Sequence, residues 1–143
     1  MKKIDKQKIK LNSESDTRAL GFSIAEALEP GDIVALVGDL GTGKTALTKY
    51  IAEGLGVTEK ISSPTFTIIK EYKSGRLPLY HFDVYRLGGA EEFYDIGGEE
   101  LLDGDGACVI EWADIIADAL PGDALLIKLD YGNHEGGRVA EII

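Results

Sequence analysis

Eight consecutive residues, Gly38-Asp39-Leu40-Gly41-Thr42-Gly43-Lys44-Thr45, fit the pattern GxxxxGK[ST] at every fixed position. Before them runs Asp32 to Val37 (DIVALV), a near-continuous apolar stretch of the kind that forms a strand covered on both faces. After them Leu47, Tyr50, Ile51 and Leu55 recur at helical spacing, and Gly54 or Gly56 closes the helix. A buried strand, a Gly-rich turn and a helix in this order restrict the chain to an α/β fold with parallel strands. They also set a chemistry. The glycines let the backbone curl so that successive N–H groups converge on a phosphate. The helix N-terminus adds a partial positive charge. Lys44 can reach the β and γ phosphates of a nucleotide, and the Thr45 hydroxyl can ligate Mg²⁺. Asp39, Leu40, Gly41, Thr42, Gly43, Lys44, Thr45 and Ala46 are the expected nucleotide-binding set.

The remaining pattern supplies a sheet for this unit. Lys8 to Leu11 reads as a short strand. Ser13, Ser15 and Asp16 are N-cap candidates for a helix carrying Leu20, Ile24, Ala27 and Leu28, stopped by Pro30-Gly31. Thr65 to Tyr72 and Leu77 to Tyr85 read as a hairpin turning at Ser74-Gly75. Ala90 to Asp95 and Glu99 to Leu102 read as short helices, Ala107 to Trp112 as a buried strand, and Ala113 to Leu120 as a helix closed by Pro121-Gly122. Ala124 to Asp130 and Arg138 to Ile143 would finish the sheet as an antiparallel edge pair. The expected architecture is α/β: a P-loop NTPase-like three-layer fold with a mixed, mainly parallel central sheet. With 143 residues and no repeat, the whole chain, 1–143, reads as a single P-loop domain.

A phosphate loop needs an acid on a neighbouring strand to hold Mg²⁺ or a water. Glu111 follows the apolar run Ala107 to Ile110, as a Walker B acid does; otherwise it is an ordinary strand-end acid. Asp83 interrupts a strand that otherwise looks buried, and a buried carboxylate needs a metal or a cation such as Arg86 or a lysine. Asp83, Glu111 and Lys44 are the expected catalytic groups, and Thr45, Glu111 and Asp83 the expected metal site. His81, two residues before Asp83, shares its strand face and is placed to orient that carboxylate or to serve as a structural histidine. Trp112, the sole tryptophan, should point away from Glu111, as strand alternation requires. Thr65, in Ser62-Ser63-Pro64-Thr65-Phe66, could sense a γ-phosphate through the metal or simply lie in a loop entering a strand.

Composition narrows the function. Five of the eleven lysines lie in the first ten residues, and the other 133 residues carry ten basic against 24 acidic side chains, a net −14. Such a body is a poor stand-alone nucleic-acid binder. Glu91 to Asp105 holds seven acids and no base, either a solvated face or a dock for a basic partner. No NKxD-type guanine motif exists, which favours ATP over GTP. Four arginines are too few for the clamps of a nucleoside-monophosphate kinase. Cys108 stands alone, so neither a disulfide framework nor a paired-Cys zinc site is expected. No stretch reads as a membrane span or a secretory signal, so cytoplasm is the expected compartment.

GDLGTGKT, SSPTF, YHFDVYRL and VIEWAD, in this order and at this spacing, resemble the TsaE (YjeE) family, the ATPase component of bacterial tRNA threonylcarbamoyladenosine synthesis. The resemblance runs from about Leu20 to Ala119. It implies ATP and Mg²⁺ as cofactors and hydrolysis within a complex of two related partner proteins. One partner transfers the threonylcarbamoyl group to adenosine 37 of tRNAs reading codons that begin with A, and tRNA is met mainly through the partners. It further implies that Lys44 and Thr45 serve phosphate and metal, and that Thr65 is the switch threonine. Asp83 and Glu111 become the acidic pair around Mg²⁺ and water, and Trp112 the neighbouring motif tryptophan. Asp114 departs from the family, which commonly has Glu there. Two other readings of the residues remain: a small-molecule kinase, and a nucleotide-gated assembly module with negligible turnover.

Overall fold

A computed structural model of the chain describes residues 4–39, 41–64, 68–132 and 137–143. The elements in chain order are β1 (Gln7–Leu11), α1 (Glu14–Ala27), β2 (Ile33–Val37), α2 (Lys44–Gly54), β3 (Ile69–Tyr72) and β4 (Leu79–Asp83). Then come α3 (Ala90–Asp95), α4 (Gly98–Leu102), β5 (Ala107–Glu111), a 3₁₀ segment (Ala113–Ala119), β6 (Leu125–Tyr131) and β7 (Arg138–Ile142). The strands form one sheet in the order β1-β7-β6-β2-β5-β4-β3. The central four, β6, β2, β5 and β4, pair in parallel. Only β3 and β7 run against the rest, which makes the sheet mixed and mostly parallel, as expected.

α1 starts where Ser13 accepts the Asp16 N–H at 3.3 Å, while Asp16 accepts the Asn12 N–H at 2.9 Å. Its last carbonyls are satisfied by Arg76, which donates to Ala25 O at 2.7 Å and Leu28 O at 3.1 Å. α1 packs tightly on α2 because Gly21 has no side chain: a Cβ there would fall 2.5 Å from that of Tyr50. Together they bury Ile24, Leu28, Leu47, Ile51 and Leu55 against Val34, Leu36, Val109 and Ile127 of the sheet. On the opposite face α3, α4 and the 3₁₀ segment cover β4 and β5, with Phe82 and Phe93 at 5.6 Å and Ile110 and Ile116 beside them. These helices stop short of the β6–β7–β1 side. There Lys8, Glu141 and Lys128 stand in one cross-strand row of alternating charge.

Two expectations are corrected. β6 and β7 do pair antiparallel, but they are not an edge, because β1 returns to pair beyond β7. With Ala140 and Ile142 buried, β7 gains from a neighbour on each side. The helix expected over Ala113 to Leu120 is present at Ala113–Ala119, as a 3₁₀ helix kinked at Ile116. Its two buried residues, Ala113 and Ile116, are three apart and suit three residues per turn. In the hairpin, β4 ends at Asp83 because the Asp83 carboxylate accepts the Tyr85 N–H at 3.1 Å and turns the chain. β3 begins at Ile69, just after Ile68 with φ 67°. Thr65 lies outside the described residues.

Candidate functional site

β2 leads into the phosphate loop through Gly38, at φ +148°. A Cβ there would sit 2.4 Å from Leu129 O, so only glycine lets the turn pass β6. Thr42 is buried and its hydroxyl donates to Asp39 O at 2.7 Å, which braces the loop from within. Gly43, left-handed at φ 102°, opens α2, and among the described residues no side chain caps that helix start. The amides of its first turn and the positive end of its dipole therefore meet the loop. Lys44 lies almost buried beneath, donating to Gly38 O at 2.5 Å and Asp39 O at 2.9 Å. Burial pushes its ammonium pKa below the ordinary value, against the carboxylates of Glu111, Asp83, Asp39 and Asp114, which pull it up. Leu40 lies outside the described residues.

The two acids end adjacent parallel strands and stand directly opposite each other in register. Glu111 is buried, and both its oxygens are engaged. Oε1 accepts the Thr45 hydroxyl at 2.9 Å, and Oε2 accepts His81 Nε2–H at 2.5 Å. Asp83 is half-buried: Oδ1 accepts the Tyr85 N–H, and Oδ2 accepts the Ser63 hydroxyl at 3.4 Å. His81 thus holds Glu111 and not Asp83, the partner its strand face suggests. Both groups do face the α2 side, but the imidazole reaches diagonally across to β5, the reach a long side chain has to a neighbour two residues off in register.

Trp112 also departs from expectation. Strand alternation stops at Glu111 because Trp112 adopts the left-handed conformation, φ 62° and ψ 35°. Its ring consequently shares the cleft with Glu111, 4.1 Å from Lys44 Nζ, a cation–π distance. Tyr85 packs against it, tilted by 47° at 4.7 Å, with 54% of its own surface exposed. Tyr85 is the residue that sequence reading passed over. Its position two residues after Asp83 was the available signal.

The resulting cleft holds about 420 Å³ and is lined by Gly41, Gly43, Lys44, Thr45, Ala46, Ser63, Asp83, Tyr85, Arg86, Glu111 and Trp112. Across the loop lies a smaller cleft of about 220 Å³, bounded by Thr17, Gly41, Thr42 and Ala46 with Leu11 and Arg138. Arg138 donates to Gly41 O at 3.2 Å there, so β7 braces the loop from outside. Among the described residues no three His, Cys, Asp or Glu side chains cluster to hold a metal unaided. Two carboxylates and a hydroxyl beside a phosphate cradle suit a hard cation that takes its other oxygens from phosphate and water, as Mg²⁺ does. Away from the cleft, Cys108 is buried and its thiol pKa is pushed up to about 12 by that burial, which makes it a core residue. All seven acids between Glu91 and Asp105 are exposed. No helix among the described residues is long and apolar enough to cross a membrane.

Residues 11–140 match the family model described as threonylcarbamoyl adenosine biosynthesis protein TsaE. The tRNA threonylcarbamoyladenosine biosynthesis protein TsaE of Bacillus subtilis (strain 168) is 51% identical over 114 residues, covering 80% of this chain and 71% of the relative. The protein of that name from Treponema pallidum (strain Nichols) is 48% identical over 126 residues, covering 86% of this chain and 93% of the relative. The crystal structure of YdiB from Bacillus subtilis superposes with a TM-score of 0.83 at 39% identity, over 96% of this chain and 84% of that one.

Proposed function

This chain belongs to the TsaE family, and from that premise we propose that it is the ATP-binding, Mg²⁺-dependent ATP-hydrolysing component of tRNA threonylcarbamoyladenosine synthesis. The observation that carries the reading is the Thr45–Glu111 hydrogen bond, which ties the phosphate-loop hydroxyl to a strand-end acid with Asp83 alongside. Loop amides and Lys44 would bind the β and γ phosphates. Thr45, Glu111 and Asp83 would hold the cation, which when bound supplies charge neutralisation at the phosphates. Asp83, half-buried and lining the cleft, would orient the attacking water. Trp112 flanks the Lys44 ammonium and would limit water around it. The smaller cleft past the loop is the natural seat for the nucleoside end of ATP.

Transition-state charge needs a positive group near the γ-phosphate. Arg86 lines the cleft. A partner can also supply such a group. Hydrolysis would then support turnover of a transferase partner in a cytoplasmic complex with two related partner proteins, with tRNA held mainly by them. The acidic surface supports that division of labour.

The test is phosphate release by the chain alone, with the two partner proteins, and with tRNA added. Weak turnover alone and a rise with partners is the expected result. Tight nucleotide binding without turnover in any mixture would favour an assembly module. Turnover driven by a metabolite acceptor would favour a kinase.

A further inference from the structure

We infer that His81 is a positioning residue of the site: its Nε2–H fixes the Glu111 carboxylate so that Glu111 can take the hydroxyl hydrogen of Thr45. The inference rests on reading the cleft as a metal–nucleotide site. His81 is fully buried in β4, and Leu79 and Val109 face the same side of the sheet. Its Nδ1 has no hydrogen-bond partner among the described residues. An apolar side chain would fill this place without leaving a buried nitrogen unpaired. What an imidazole adds here is the 2.5 Å bond to Glu111 Oε2.

Register explains why that bond matters. Asp83 and Glu111 face each other directly, and like charges so placed repel. The His81 donor draws Glu111 diagonally back along β4, away from Asp83. With Oε2 taken by His81 and Oε1 by Thr45, the carboxylate has one orientation left. Thr45 spends its only hydrogen on Glu111, so the lone pairs of its oxygen are free for a cation. His81 does not line the cleft and acts only through Glu111. Partners that orient a metal ligand in this way typically govern affinity for the metal.

The full chain is tested as His81→Leu, His81→Asn and His81→Gln. Mn²⁺ is the spectroscopic probe, read by electron paramagnetic resonance with ADP present. Nucleotide binding in a chelator is read separately. Gln can place a donor near the Nε2 position, whereas Asn is too short and Leu has none. Expected is a loss of about tenfold or more in Mn²⁺ affinity for the Leu and Asn variants. Metal-free nucleotide binding should be unchanged, and Gln should restore most of the loss. Adding His81→Leu to Glu111→Gln should weaken Mn²⁺ binding no further. Should Leu fail to fold, the Asn–Gln comparison decides. The inference is overturned if Asn and Gln behave alike, or if metal-free and metal-dependent binding fall together. If the unmodified chain binds neither nucleotide nor Mn²⁺ with nucleotide, the reading of the cleft falls as well.

Discussion

Thr45 and Glu111 lie 66 residues apart and meet in a 2.9 Å hydrogen bond where α2 begins and β5 ends. Through it the helix that carries the phosphate loop is locked to the strand that carries the acid. Chemistry at one is therefore conditional on the geometry of the other.

Lys44→Ala removes the buried ammonium from beneath the loop. ATP turnover should fall by about 10²-fold or more, the scale of losing one preorganised charge-stabilising group. Thr45→Ala should leave nucleotide binding in chelator intact and raise the Mg²⁺ concentration needed for turnover. Phosphate-release assays across a Mg²⁺ series check both, with a melting curve to show folding. Wild-type turnover in both variants would remove the loop from the mechanism.

Glu111→Gln and Asp83→Asn should both abolish hydrolysis in the assembled complex. They should differ in binding. Glu111 is buried and holds Thr45, so its amide should weaken metal-dependent nucleotide affinity. Asp83, held by Ser63 and the Tyr85 amide, should lose turnover with affinity better preserved. Calorimetric titration with MgADP separates the two. Normal hydrolysis in both would make the pair structural.

The isolated chain should hydrolyse ATP slowly and hold tRNA weakly, since outside its first ten residues it carries a net −14. Association with partners through the exposed acids of α3 and α4 should weaken as salt rises. Pull-down and turnover measured at two ionic strengths test this. Full activity of the chain alone, or tRNA binding that resists salt, would contradict it.

Nucleotide affinity should fall on the alkaline side earlier than an exposed lysine would dictate. Burial lowers the Lys44 pKa from its ordinary 10.5, so the folded chain holds fewer protons there than the unfolded chain between the two values. Through that window this group's contribution to stability rises with pH. Bound phosphates favour the charged lysine, so binding should take up a proton in the same window. Titration calorimetry in two buffers of different ionisation enthalpy reads that uptake. No uptake anywhere below 10.5 would show that the Lys44 charge is indifferent to nucleotide.

Phe82→Ala should cost about 3–5 kcal/mol, because the ring is fully buried between the sheet and Phe93. Chemical denaturation with unchanged slope is the expected readout. A loss below about 1 kcal/mol would mean that this layer collapses around the cavity.

The phosphate loop was legible because its chemistry demands glycine, lysine and a hydroxyl at set positions within one short segment. Glu111 was legible because four apolar residues lead up to it. The partner of His81 was not, since it depends on the register of β4 against β5, across 30 residues of chain. Trp112 was misread for a local reason: nothing in IEWAD marks the left-handed turn that carries the ring into the cleft. The place of β1 was equally hidden, because periodicity reports which faces of a strand are buried and is silent on its neighbours.

The position of β1 has a consequence for how the molecule is made. Among the described residues its one partner in the sheet is β7, residues 138–142. β1 thus has nothing to pair with in the sheet until β7 has been synthesised. Arg138, which braces Gly41, arrives with that same strand. The central parallel strands can assemble before then, but the outer wall of the phosphate loop closes only once residue 138 has been made. A nascent chain stalled before residue 138 would carry the whole glycine-rich motif and still lack the finished cradle.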